Sequence, residues 1–130
     1  AIEVDHHPVE PAYGYKIILD NEKRIVISGD TRYSDNLIKA AEGADVLVHE
    51  VFIELKFNES RMSEQTVKNI KDYHTSPEDV GKVASKAGVK KLLLTHFVPP
   101  VFDEEVLKER ISEYFTGEII VGSDLTSLEL

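Results

Sequence analysis

The chain contains no cysteine, which excludes a disulfide framework and any thiolate metal site. Basic residues are in deficit. Fifteen Lys and Arg face 24 Asp and Glu, for a net charge of −9. This segment alone therefore lacks the clustered Lys/Arg surface that grips a nucleic-acid backbone, although a metal or a partner half could reverse the field locally. The longest apolar runs are about five residues, far short of the roughly 20 that a membrane helix needs. A membrane is therefore not an expected partner. No signal peptide is visible, and a cytoplasmic location is the expectation. The chain starts at Ala1 without Met, directly in what reads as a strand, and that start points to cleavage, processing or truncation. Internal repeats and low-complexity segments are absent.

What remains is an ordinary globular composition. Over 130 residues, 42% are apolar and 30% charged, which suits one domain with a modest core and does not suit disorder. Ile2 to Asp5 alternates apolar and acidic residues. Pro8 and Pro11 impose an extended, turn-like passage. Tyr15 to Leu19 and Arg24 to Ser28 read as a hairpin around the polar turn Asp20-Asn21-Glu22-Lys23. Ser34 and Asp35 can cap a short helix that turns Leu37, Ile38, Ala40 and Ala41 inward and stops at Gly43. Val46 to Val48 is a buried strand, residues 53–61 are irregular, and Ser63 to Lys71 has weak helical spacing.

Ser76-Pro77-Glu78-Asp79 is a strong helix start: an N-cap, a proline at the first helical position, and acids where the dipole favours them. Val80, Val83, Ala84 and Ala87 form its buried stripe, and Gly88 ends it. Lys91 to Thr95 is a continuous apolar strand, as expected when both faces are covered. Asp103 opens a further helix with Val106, Leu107 and Ile111 inward. Glu118 to Val121 is a strand, and Leu125 to Leu130 reads as a last one. The alternation gives an α/β class with an antiparallel hairpin at its start.

Chemistry-bearing residues collect at the strand ends. Asp30 lies in SGDT, just past Arg24 to Ser28, where Gly29 permits a sharp turn. Open α/β sheets bind ligands at the carboxyl ends of their strands. Alone, Asp30 is as readily a turn cap. His96 follows KLLLT at the mouth of a buried strand, where a neutral imidazole can take a metal or simply sit satisfied in the core. His6 and His7 follow IEVD. Adjacent side chains of an extended segment point opposite ways, so only one of the two faces a given site. His49 and Glu50 follow VLV under the same geometry. His74 precedes the helix that begins at Pro77, where its ring can reach over a helix N-terminus suited to anionic groups, or act in capping. Each signal is weak singly. Together they line one rim of a sheet, which coincidence explains poorly.

In order and in company, VDHHPVEPAYGY, VISGDTRYSDNL, ADVLVHEVF, YHTSPEDVGKVA and LLLTHF resemble the metallo-β-lactamase-fold hydrolases, in the branch of ribonuclease Z and arylsulfatase-like enzymes. The resemblance covers almost the whole chain. It implies the C-terminal half of a four-layer αββα sandwich, and residues 1–130 as a single partial domain. By that resemblance His6, Asp30 and His96 are metal ligands, Asp30 bridging two ions. Glu50 and His74 match the branch's Glu–His pair beside the scissile phosphate. His7 stands where glycine is common in the family. Val51-Phe52 follow Glu50 where the branch carries Ala-Thr, which counts against tRNA processing in particular. The family's HxHxDH word, which supplies the other ligands, occurs nowhere in the chain.

The resemblance further implies two divalent ions, Zn²⁺ foremost and Mn²⁺ or Fe also acceptable to such ligands. They would share a hydroxide that attacks a phosphodiester or ester. The substrate is then a small ester, a phosphodiester or RNA. The segment alone is expected to be inactive, with the missing N-terminal half as its partner. An uncovered apolar sheet face would then favour self-association. A catalytically inert binding or oligomerisation module of the same fold is the alternative. A receiver-like module holding Mg²⁺ at Asp30 is the third reading, and the five ordered words argue against it.

Overall fold

The computed structural model describes residues 1–53 and 63–130. Along the chain run β1 (Ile2–Val4), β2 (Ala12–Ile18), β3 (Arg24–Ile27), α1 (Asp35–Ala41), β4 (Val46–Phe52), α2 (Glu64–Tyr73), α3 (Pro77–Ala87), β5 (Lys91–Val98), α4 (Glu104–Ser112) and β6 (Glu118–Val121). Among the described residues the strands form one sheet in sequence order. The pairs β1–β2 and β2–β3 are antiparallel, and β3–β4, β4–β5 and β5–β6 are parallel. Strands β1, β3, β4, β5 and β6 therefore run the same way, and their carboxyl ends share a rim.

Helices α1, α3 and α4 cover one face. Val26, Leu47, Val51, Leu92 and Leu94 point into a core completed by Leu37, Val80, Val83, Ala84, Leu107 and Ile111. The local chemistry of α3 is as its sequence dictates. Ser76 accepts the Asp79 N–H, Pro77 opens the first turn, and Gly88 closes the helix in the left-handed conformation at φ 61°. Arg110 of α4 grips Glu78 of α3 through two bonds of 2.6 and 3.0 Å, so the two helices are pinned across their contact. That guanidinium holds the Glu78 carboxyl below its usual range.

The opposite face carries Tyr15, Ile17, Ile25, Ile27, Val46, Val48, Leu93 and Ile120, paired strand to strand in register. No helix lies over it among the described residues. Thr126, Leu128 and Leu130 of the C-terminal tail share one cavity with Ile25, Val46, Val48 and Leu93, while Tyr15 and Ile17 stay exposed.

Two expectations need correction. Residues 125–130 form no strand. Leu125 has φ 67°, and Ser123 and Thr126 close a turn through bonds of 2.9 and 3.0 Å, which breaks the extended run. Val106 is 46% exposed, because the inward stripe of α4 is Leu107 and Ile111, four residues apart. The weakly spaced helix at 63–71 does form, as α2. The reading of 53–61 as irregular lies outside the described residues from 54 onward.

Candidate metal centre

Every candidate residue sits at the common rim. His6 follows β1, Asp30 follows β3, Glu50 lies near the end of β4 and His96 near the end of β5. His74 caps the C-terminus of α2 in an extended conformation, not the start of α3. The turn that presents Asp30 depends on Gly29, whose φ is 63° and whose missing Cβ would collide with the Tyr13 carbonyl.

His96 reaches the rim by a device invisible in the sequence. The β4–β5 register pairs Glu50 with Thr95 and then Val51 with Phe97, so His96 is the extra residue of a bulge. Its φ is 44°, in the left-handed region that non-glycine residues rarely adopt. A bulge of this kind re-aims a side chain, here toward the site. The His96 Nδ1 lies 3.4 Å from Asp30 Oδ1. The His96 ring lies 5.6 Å from the His74 ring, which in turn lies 5.2 Å from the His6 ring.

Of the two adjacent histidines, His6 turns toward the site, and His7 is largely exposed beside Glu10. The His6 Nδ1 lies 2.8 Å from the Tyr73 carbonyl. A carbonyl only accepts, so Nδ1 carries the proton and Nε2 is left with its lone pair free. That is the arrangement of a metal-ligating imidazole held by an outer hydrogen bond.

Glu50 is 1% exposed. Its Oε1 accepts the backbone N–H of Thr75 at 3.0 Å and of Thr31 at 3.4 Å. Its Oε2 lies 3.2 Å from His74 Nδ1. This contact is an ion pair lying off the N–H line, so both atoms lack a hydrogen-bond partner in the strict sense. Burial would lower the pKa of His74. The adjoining Glu50 carboxylate outweighs it, Asp30 adds to it, and the net direction is upward. His74 is thereby held as an imidazolium at higher pH than usual.

Among the described residues, ligand atoms of Glu50, His74 and His96 lie within 4.8 Å of one another, close enough to share a metal ion. Glu50 spends one oxygen on two N–H groups and turns the other to His74, whereas His6 Nε2 stays free beside this rim. The nitrogen and carboxylate donors of the rim are of the types that Zn²⁺ takes.

Of the pair that follows VLV, His49 is fully buried with Nδ1 2.6 Å from the Glu50 carbonyl. Two features escaped sequence reading: Thr31 and Thr75 are buried and bond the site's segments together. Both threonines lie inside the recognisable words, but nothing in a sequence tells a buried threonine from an exposed one.

His, Asp and Glu side chains thus converge at the carboxyl rim of a one-sided sheet. Residues 1–97 match the model of the β-lactamase superfamily domain, and the chain belongs to that family. A putative ribonuclease Z of Mycobacterium tuberculosis is 39% identical over 97% of this chain and 56% of its own length. A ribonuclease Z of Mycobacterium marinum is 35% identical over 97% of this chain and 45% of its own. The chain thus spans about half the length of the curated relatives it matches. Among solved structures, the metallo-β-lactamase fold protein YhfI of Bacillus subtilis superposes with a TM-score of 0.71 and 26% identity, over 93% of this chain and 45% of that one. The short form of human tRNase Z matches in fold, with a TM-score of 0.56 and 21% identity, over 89% of this chain and 37% of that one.

Proposed function

We propose that this chain supplies one half of the active site of a metal-dependent phosphodiesterase, with RNA as the favoured substrate class. The observation that carries the reading is the convergence of His6, Asp30, Glu50, His74 and His96 on one rim, with the His6 Nε2 left free by the Tyr73 carbonyl. The ribonuclease Z relatives point to the substrate.

In this reading His6, Asp30 and His96 would hold divalent metal, Zn²⁺ first. The remaining ligands come from the other half of the domain, as an HxHxDH word encoded upstream of Ala1. Bound ions supply positive charge that lowers the pKa of a water toward neutrality and offsets negative charge on the phosphate. His74 presents Nδ1 to Glu50, which leaves the proton on Nε2 for the departing oxygen. Glu50, clamped by Thr31 and Thr75, fixes the ring and keeps it charged. The apolar face of Tyr15, Ile17, Ile27 and Val48 receives the second sheet.

The test is hydrolysis of a phosphodiester by the complete gene product. His74→Ala should lower kcat about 10²–10⁴-fold, the range of a lost general acid, with KM little changed. Full activity in that variant, or an upstream sequence without HxHxDH, contradicts the reading. The inert-module alternative predicts no hydrolysis by the complete protein under any divalent metal.

A further inference from the structure

We propose that Thr75 is a positioning residue whose hydroxyl clasps the His74-bearing segment to the Asp30-bearing turn. The inference rests on reading these residues as one site.

Thr75 is 1% exposed and held at three points. Its N–H donates to Glu50 Oε1 at 3.0 Å, its carbonyl accepts the Phe52 N–H at 2.8 Å, and its hydroxyl donates to the Thr31 carbonyl at 2.6 Å. Thr31, wholly buried, continues the chain of bonds. Its N–H points to the same Glu50 oxygen, and its hydroxyl lies 3.1 Å from the Asp5 carbonyl and 2.7 Å from the Arg32 carbonyl. The Arg32 N–H reaches the Asp5 carbonyl as well, at 2.8 Å.

Each of these anchors is a sequence neighbour of a candidate site residue. Thr75 follows His74, Thr31 follows Asp30, and Asp5 precedes His6. Glu50 is itself one of the pair. Four segments far apart in sequence are thus tied together, two of the bonds ending on Glu50 itself. Among the described residues, the Thr75 hydroxyl links the His74 segment directly to the Asp30 turn, 44 residues away in sequence. Being buried, the bond has no water to replace it, so its loss leaves the Thr31 carbonyl without that donor.

Thr75→Val keeps the side-chain shape and deletes the donor, whereas Thr75→Ser keeps the donor. Amide hydrogen exchange on the metal-free chain reads the clasp directly. In Thr75→Val the Thr31 and Arg32 amides should exchange about 10-fold faster or more, as expected when one buried bond is lost. The Leu107 and Ile111 amides of α4 should keep their rates, and Thr75→Ser should restore the parent pattern. Zinc affinity is the second measurement, and should weaken about 10–100-fold in Thr75→Val and recover in Thr75→Ser. If Thr75→Val fails to fold, Thr75→Ala removes the same donor without burying a branched apolar group. Unchanged exchange at Thr31, a uniform rise along the chain, or failure of Thr75→Ser to restore the pattern overturns the proposal. A parent chain that binds no zinc but shows the expected exchange pattern contradicts the metal reading and leaves the clasp standing.

Discussion

At the scale of single residues, the rim is a set of histidines whose surroundings divide their roles. His6 is fixed by a carbonyl, His96 by a bulge, His74 by a carboxylate and His49 by burial. Burial pushes the His49 pKa down from 6.5, against the opposing pull of Glu50. The unfolded chain then takes up this proton first, so stability is fully present above pH 6.5 and is lost as pH falls below it. His74 has the opposite sign. Its raised pKa contributes stability that is full below 6.5 and lost as pH rises through the folded value. Together the two histidines favour a maximum near pH 6.5 in the metal-free chain. Chemical unfolding across pH checks this. His49→Asn should flatten the acid limb, whose slope from one proton is at most about 1.4 kcal/mol per pH unit. An acid limb unchanged in that variant contradicts the assignment. Asp30, Glu50 and His96 were legible as candidates because each follows an apolar run, His74 because it precedes the helix start at Pro77, and the Glu50–His74 pairing only by family resemblance. Their mutual distances were not legible, since those depend on strand register and on the buried threonines.

At the scale of elements, what could be read was what local chemistry decides alone. Ser76, Pro77 and Gly88 bound α3, and the polar turn at residues 20–23 joins β2 to β3, because caps and turns are local. The His96 bulge could not be read, since it is a property of two strands together and not of KLLLTHF. The apolar residues after Leu125 misled for a related reason: a turn at Ser123–Thr126 interrupts the alternation. Gly29 belongs to this scale, since it sets the direction in which β3 delivers Asp30. Gly29→Ala combines a positive φ with a collision against the Tyr13 carbonyl. It should cost at least about 1 kcal/mol of unfolding free energy in a denaturant melt. A variant as stable as the parent removes the strain from the account.

At the scale of the whole molecule, the sheet is finished on one side only. Helices bury Val26, Leu47 and Leu92, while Tyr15 is 52% exposed and Ile17 41% exposed on the far face. Burial on the helical side supplies a stable core, each large apolar side chain contributing roughly 1.5–3 kcal/mol. In the proposed function the far face receives a partner sheet, and the curated relatives are about twice as long as this chain. In isolation the chain should self-associate through that face, and light scattering should give at least twice the monomer mass at micromolar concentration. A monodisperse monomer contradicts it. The αββα half was legible from five ordered words, whereas composition alone gave only an α/β class.

The most direct measurement of the central claim is a zinc titration of the chain against a competing chelator dye, repeated with His6→Ala, Asp30→Ala and Glu50→Gln. A metal centre built from His6, Asp30 and His96 predicts saturable binding that is lost in His6→Ala and Asp30→Ala and retained in Glu50→Gln. Binding that survives both of the first two substitutions, or that disappears with Glu50→Gln alone, contradicts it.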